Sequence, residues 1–308
     1  MRIFGKPEYF TKRHIEKVRG KIGTVLAEQA VHCLELVAAL SSTGLKFRFK
    51  GGNSQLLLLP QPHRLSIDVD IATAEPRPRI IEAVASVADG DGVFTRWVHR
   101  QHKTKPWLPL ASFEIFYRPL FQKEEQSFIM LDAILHGSPY PGQSVPVISG
   151  RLYQSSVRAE IPTPSGLAGD KLLTLGPRTL GIPFGKNKEG QRLKHVFDIA
   201  RLIELGLETT AVAASVRGSM QQELDIQQRS MELREVYDDT MTLLTIPGRY
   251  PDEPALADDL PADVREVVVG REQLRLHLMS QQYDWRDLQR DAAAVAELFG
   301  AVMRHGAA

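Results

Sequence analysis

The chain has 308 residues, of which 43% are apolar and 24% charged, and its formal net charge is +1. This length can bury a substantial core and suits two lobes, while the near-neutral balance excludes a global basic field, so a nucleic-acid site must come from local patches. A single cysteine, Cys33, excludes an internal disulfide framework, the opening MRIFGKPEYF lacks the apolar core of a signal peptide, and no run approaches membrane-spanning length, so a cytoplasmic protein is expected.

Residues 1–21 are basic, with Lys6, Lys12, Arg13, His14, Lys17, Arg19 and Lys21 against Glu8 and Glu16. From 22 to 40 the apolar residues fall at helical spacing, which predicts a core-facing scaffold helix that buries Cys33 as a small hydrophobe. Basic side chains leading into it could meet RNA, though a solvated face accounts for them as well.

The stretch 47–71 carries most of the chemistry. A basic, apolar run (Phe47, Arg48, Phe49, Lys50) breaks at Gly51-Gly52-Asn53-Ser54, and a turn at Pro60-Gln61-Pro62 follows. From 64 to 71, Leu65, Ile67, Val69 and Ile71 alternate with Arg64, Ser66, Asp68 and Asp70, the period of a strand with one buried face. Asp68 and Asp70 then share the other face, and two carboxylates at i and i+2 can hold Mg2+ (or Mn2+). A Gly-Gly turn lets backbone N–H groups approach phosphate, because no Cβ stands in the way. Either feature alone is more often a solvated edge or a plain hairpin; together they are the equipment of phosphoryl or nucleotidyl transfer.

A helix is predicted over 79–88, then a turn at 89–92 and a strand over 93–98. The interval 92–113 contains no acid but carries Arg96, Arg100, Lys103 and Lys105, with His99, His102, Trp97 and Trp107 among them. Such a run can hold a phosphate backbone and stack bases, or simply be a basic surface hairpin. Strands are predicted over 112–117 and 127–135. In the second, Asp132 stands alone among apolar neighbours and needs a metal, a cation or exposure. Gly, Pro and Ser over 137–150 predict a linker, and a short strand is expected over 156–161.

Beyond that point the pattern is helical. The expected helices cover 162–175 (capped by Ser165), 193–206, 209–217, 222–244, 263–281 and 285–304, with a Gly- and Lys-rich loop over 178–192 and a proline-rich acidic break over 246–261. By spacing alone, Lys171 is a solvated lysine, and Lys194 with Asp198 an ordinary i,i+4 pair.

The segment K-G-G-x-S at Lys50–Ser54, followed by R-x-S-x-D-x-D at Arg64, Ser66, Asp68 and Asp70, resembles the AbiEii/AbiGii family of type IV toxin–antitoxin nucleotidyltransferases, which includes MenT-like toxins and belongs to the polymerase-β-type superfamily. Residues 168–172 and 192–199 resemble the family's later segments A-x-K-x-x-A/L and R-x-K-D-h-x-D-h, where h is apolar. Two positions depart: Asn53 stands where Thr is common, and His195 where the first Asp is usual. The resemblance implies an α/β fold, with a small mixed-sheet polymerase-β-type catalytic lobe over 1–150, a mostly helical lobe over 151–308 that contributes Lys171 and Asp198, and a cleft between them.

It also implies a monomeric, Mg2+-dependent enzyme that moves a nucleoside monophosphate from an NTP to RNA, at the tRNA 3′ end, and so stops translation, with a cognate antitoxin. In that reading Asp68 and Asp70 bind metal, joined by Asp132 as the third carboxylate. Gly51, Gly52, Ser54 and Arg64 bind the nucleotide, Lys171 clamps the triphosphate and Asp198 orients it or a substrate hydroxyl. Ser66 is a functional position and, in MenT-like relatives, a target of inactivating phosphorylation. Arg96, Arg100, Lys103 and Lys105 are the candidates for RNA contact. Two other readings stay open: transfer to a small molecule or protein hydroxyl, and a non-catalytic partner-binding protein whose metal is structural.

Overall fold

The structure, a computed structural model, describes residues 3–88, 92–100 and 108–305. Residues 89–91 of the turn predicted at 89–92, and the candidates Lys103 and Lys105, with His102 and Trp107, lie outside these residues. The chain forms two compact units, Met1–Pro162 with Leu278–Ser280, and Thr163–His277 with Gln281–Ala308.

In the first unit the elements are α1 (Lys12–Val18), α2 (Thr24–Ser41), β1 (Arg48–Lys50), α3 (Gly51–Ser54), β2 (Asp68–Ala72), α4 (Arg77–Ala88), β3 (Phe94–Arg100), β4 (Leu110–Tyr117), β5 (Ser127–Ile134), β6 (Gly142–Ser149) and β7 (Tyr153–Pro162). Five strands make a mixed sheet in the order β1-β2-β5-β4-β3; β2 and β5 are parallel, and the other pairs are antiparallel. Residues directly opposite one another across a ladder share a face. Phe49, Val69, Ile71, Leu131, Ala133, Phe113 and Ile115 are buried on one face, in a core completed by α2 and α4. The carboxylate-bearing positions fall on the other.

Helix α2 is long and apolar enough to pass for a membrane span, contrary to the expectation that no run reaches that length. Its window is 72% buried inside the protein, as befits a core helix. On α2, Glu35 accepts from the Phe4 and Gly5 amides and the Tyr153 hydroxyl, and Glu28 Oε1 accepts from the Leu120 amide, while Glu28 Oε2 is buried without a hydrogen bond.

Two expectations for this unit are corrected. The strand expected over 64–71 is ordered only from Asp68, because side chains take the carbonyls ahead of it: Arg64 Nη1 donates to Leu65 O (3.3 Å) and Cys33 Sγ to Ile67 O (3.1 Å). Arg64 instead makes an isolated bridge to Leu278. The predicted linker over 137–150 contains β6, paired with β7 as a separate two-stranded sheet. Pro146 disguises it, yet a two-stranded edge tolerates a residue without an N–H, at the cost of a register shift between Pro146 and Ile148.

The second unit is helical: α5 (Pro164–Leu172), α6 (Glu189–Ile203), α7 (Thr209–Gln227), α8 (Leu233–Leu244), α9 (Ala262–Arg275) and α10 (Trp285–Arg304). Thr163, not Ser165, caps α5, since Pro164 occupies the first turn and the Thr163 hydroxyl accepts from the Gly166 amide. The expected break between 217 and 222 is absent. Helix α7 runs through Gly218 and ends at Gln228, whose φ of 52° is left-handed. Part-buried ion pairs hold the unit together, among them Arg201–Asp291 at 2.6 Å, with Tyr283 also donating to Asp291, and Arg271–Glu253 at 2.7 Å.

Candidate active site

Strand β1 delivers the chain into the Gly51–Gly52 turn, and β2 lies antiparallel beside it with Lys50 opposite Asp70. Gly51 has φ +74°, and a Cβ placed there would overlap Asp70 Oδ2, so only glycine lets the turn close on that carboxylate. A Cβ on Gly52 would meet the Arg64 guanidinium at 2.6 Å and Ser66 Oγ at 3.2 Å. The turn is thus ringed by Asp70, Arg64 and Ser66, three of the residues expected here.

Two side chains fix the turn from within. Ser54 Oγ donates to Gly51 O (2.9 Å) and is fully buried; it closes the turn rather than facing outward. Asn53 Nδ2 donates to Asp68 O (2.6 Å), tying the turn to β2. Asn53, the departure from the family pattern, was not among the predicted site residues; its only signal was its place inside the Gly-Gly motif. Cys33 lies behind this junction, and burial, then the negative charges of Asp68 and Asp70, pushes its thiol up, so it stays a neutral thiol.

Across β2, Asp68 is exposed and Asp70 half-buried, with buried Val69 between them, as alternation requires. Asp132 stands opposite Asp70 on the parallel neighbour β5, on the same face. It is half-buried, and its Oδ1 accepts from Ser112 Oγ at 2.5 Å, a partner that sequence reading missed because it depends on the β4–β5 register. Among the described residues no three His, Cys, Asp or Glu side chains converge as a ready-made metal site. Two carboxylates with room for phosphate oxygens and water is nonetheless how Mg2+ is commonly held, and the Asp68–Asp70 pair suits it.

Arg96 and Arg100 project from the same sheet face. Arg100 pairs with Glu114 at 3.2 Å, and the Arg96 guanidinium lies 3.5 Å from the Phe116 ring centre. Trp97 is turned to the opposite face, edge-on to Phe113, so it does not interleave with these arginines as expected.

In the second unit, Lys171 Nζ and Asp198 Oδ2 are 2.7 Å apart, with side chains 3% and 2% exposed. Lys171 is therefore no solvated lysine. Asp198, on the next helix, is its partner.

No curated protein matches the chain. Among solved structures it is similar to MenT4, a nucleotidyltransferase toxin from Mycobacterium tuberculosis H37Rv, at 14% identity over 94% of this chain and 96% of that one, with a TM-score of 0.51. It also aligns with an antigenic nucleotidyltransferase-like protein from Paracoccidioides brasiliensis, at 13% identity, 64% of this chain and 93% of that one, and a TM-score of 0.37. The first likeness speaks for a shared fold; the second is too distant to argue from. Residues 34–303 match the family described as nucleotidyl transferase AbiEii toxin, type IV TA system. With a glycine turn set against an aspartate pair and that match running over most of its length, the chain belongs to the AbiEii nucleotidyltransferase toxin family of type IV toxin–antitoxin systems.

Proposed function

We propose that this nucleotidyltransferase transfers a nucleoside monophosphate from an NTP to a hydroxyl at the 3′ end of tRNA and thereby stops translation. The contact between Gly51 and the Asp70 carboxylate carries the reading, because it sets a phosphate-accepting turn directly against metal-binding side chains. Asp68 and Asp70 would hold Mg2+ or Mn2+ as a pair, with Asp132, hydrogen-bonded by Ser112, on the same face beside them. Bound there, the ion neutralises triphosphate charge and lowers the pKa of the attacking hydroxyl.

The chain's own residues do the positioning. Gly51 and Gly52 admit phosphate oxygens to the backbone, with Arg64 and Ser66 beside Gly52 as polar donors. Ser54 serves this cradle indirectly, through Gly51 O. The acceptor oxygen bonds to the α-phosphorus as the bond to the bridging oxygen breaks. Pyrophosphate leaves with the electron pair, and the hydroxyl proton passes to water. By the family resemblance, Lys171 with Asp198 is assigned to the charge on the leaving pyrophosphate. Arg96, Arg100, Lys103 and Lys105 are assigned to the RNA backbone. The family implies a cognate antitoxin, and a phosphate added to Ser66 would place negative charge against Gly52, where the nucleotide's own phosphates belong.

Incubation with total tRNA and each labelled NTP tests this, with Asp68→Ala as control. Label should enter RNA with the native chain only, while Asp68→Ala stays folded. An unfolded Asp68→Ala would indicate a structural metal, and label in protein or a small molecule would remove RNA as acceptor.

A further inference from the structure

The sheet face that bears the carboxylates does not end with them. Across the ladders, Asp68 stands opposite Met130, Met130 opposite Glu114, and Glu114 opposite Val98; one step along, Phe128 stands opposite Phe116, and Phe116 opposite Arg96. Phe128 is 39% exposed and Val98 38%, large apolar side chains that the fold leaves in water beside the candidate site. The Phe116 and Phe128 rings lie 5.6 Å apart at 52°, and the Arg96 guanidinium covers Phe116, tethered by Gln126 Oε1 at 2.7 Å. Arg100 pairs with Glu114 on this face.

We propose that Phe128 and the Arg96–Phe116 pair form a stacking platform for a terminal base of a single-stranded RNA acceptor. The inference rests on the nucleotidyl-transfer reading and adds where the acceptor sits. Exposed aromatic rings and guanidinium planes are the surfaces on which unpaired bases stack, and Arg96 supplies charge complementary to the backbone. Direction follows from the reaction. The attacking and leaving oxygens lie roughly in line through the phosphorus. With the phosphate turn on the β1 side of Asp68 and Asp70, pyrophosphate departs that way, and the acceptor enters from β5, β4 and β3, where the platform lies. Strand spacing puts the Phe128 backbone about 8 Å from that of Asp68, a distance on the scale of one nucleotide.

The test compares Phe128→Ala, Phe128→Tyr and Arg96→Gln with the native full-length chain. The readouts are binding of a short labelled single-stranded RNA, binding of NTP in Mg2+, and the KM for acceptor RNA. Phe128→Ala should weaken single-stranded RNA and raise its KM by about tenfold, the loss of one stacked base, and leave NTP affinity unchanged. Phe128→Tyr should restore both, and duplex RNA should not distinguish the variants. Phe128→Tyr, which keeps the ring packed on Phe116, should leave the thermal midpoint in place. Lost NTP affinity with RNA binding intact would assign the surface to the donor's base and overturn the proposal. Unchanged RNA binding in all three variants would overturn it too, as would an effect confined to a protein partner. Failure of the native chain to bind NTP at all would instead defeat the underlying enzymatic reading.

Discussion

Lys171 and Asp198 offer the sharpest separation of structure from chemistry. Their atoms are 2.7 Å apart, and both side chains are nearly sealed from water. Replacing Lys171 by Met leaves the Asp198 carboxylate buried without its cation, a change that costs about 3–5 kcal/mol. Adding Asp198→Asn removes the stranded charge, so the double variant should regain a large part of that loss. The two substitutions should therefore be strongly non-additive. Urea unfolding followed by hydrogen exchange at the α5 and α6 amides reads the local stability directly. Nucleotidyl transfer by the double variant then divides the roles: a stable but inactive chain assigns Lys171 to the triphosphate, and recovered activity assigns the pair to the fold. A double variant no more stable than Lys171→Met would refute the reasoning, because the penalty would not be that of an uncompensated charge.

Two further perturbations probe the first unit. Gly51→Ala forces an L residue to φ +74°, costing roughly 1–2 kcal/mol, and drives its Cβ into the Asp70 carboxylate. A melting point lower by roughly 2–8 °C and transfer slowed by about 100-fold are expected, against little change for Gly23→Ala, where nothing lies within 4 Å; normal transfer by Gly51→Ala would undo the phosphate-turn assignment. His32, stacked on Tyr117 with ring centres 3.8 Å apart, has its pKa lowered by burial from 6.5 to about 4. The unfolded chain thus takes up a proton below pH 6.5 that the folded chain refuses until about pH 4, so its contribution to stability is intact above pH 6.5 and falls as the pH drops through that window. Between pH 6.5 and 5 the loss should be about 2 kcal/mol, measured by unfolding at each pH; a His32→Phe chain with the same pH slope would contradict it.

Local pattern alone was enough for much of this chain. Alternation at Val69 and Ile71 placed Asp68 and Asp70 on one face, helical spacing located α2, α6 and α10, and the Gly-Gly step marked the turn beside the carboxylates. These are properties of neighbours in sequence, so they survive without knowledge of the fold. What tertiary structure decided were the choices between distant partners. Pairing with β7 turned an apparent Gly/Pro/Ser linker into β6, and side chains from α2 and Arg64 itself took the carbonyls that would have extended β2. Lys171 chose Asp198 from another helix. Phe116 and Phe128 read as ordinary strand apolar residues, and only the register of β3, β4 and β5 lines them up with Arg96 on the carboxylate face. Periodicity says which side of its own strand a residue takes; which residues stand beside it is set by ladder register and long-range packing, and those are fixed only when the whole sheet assembles.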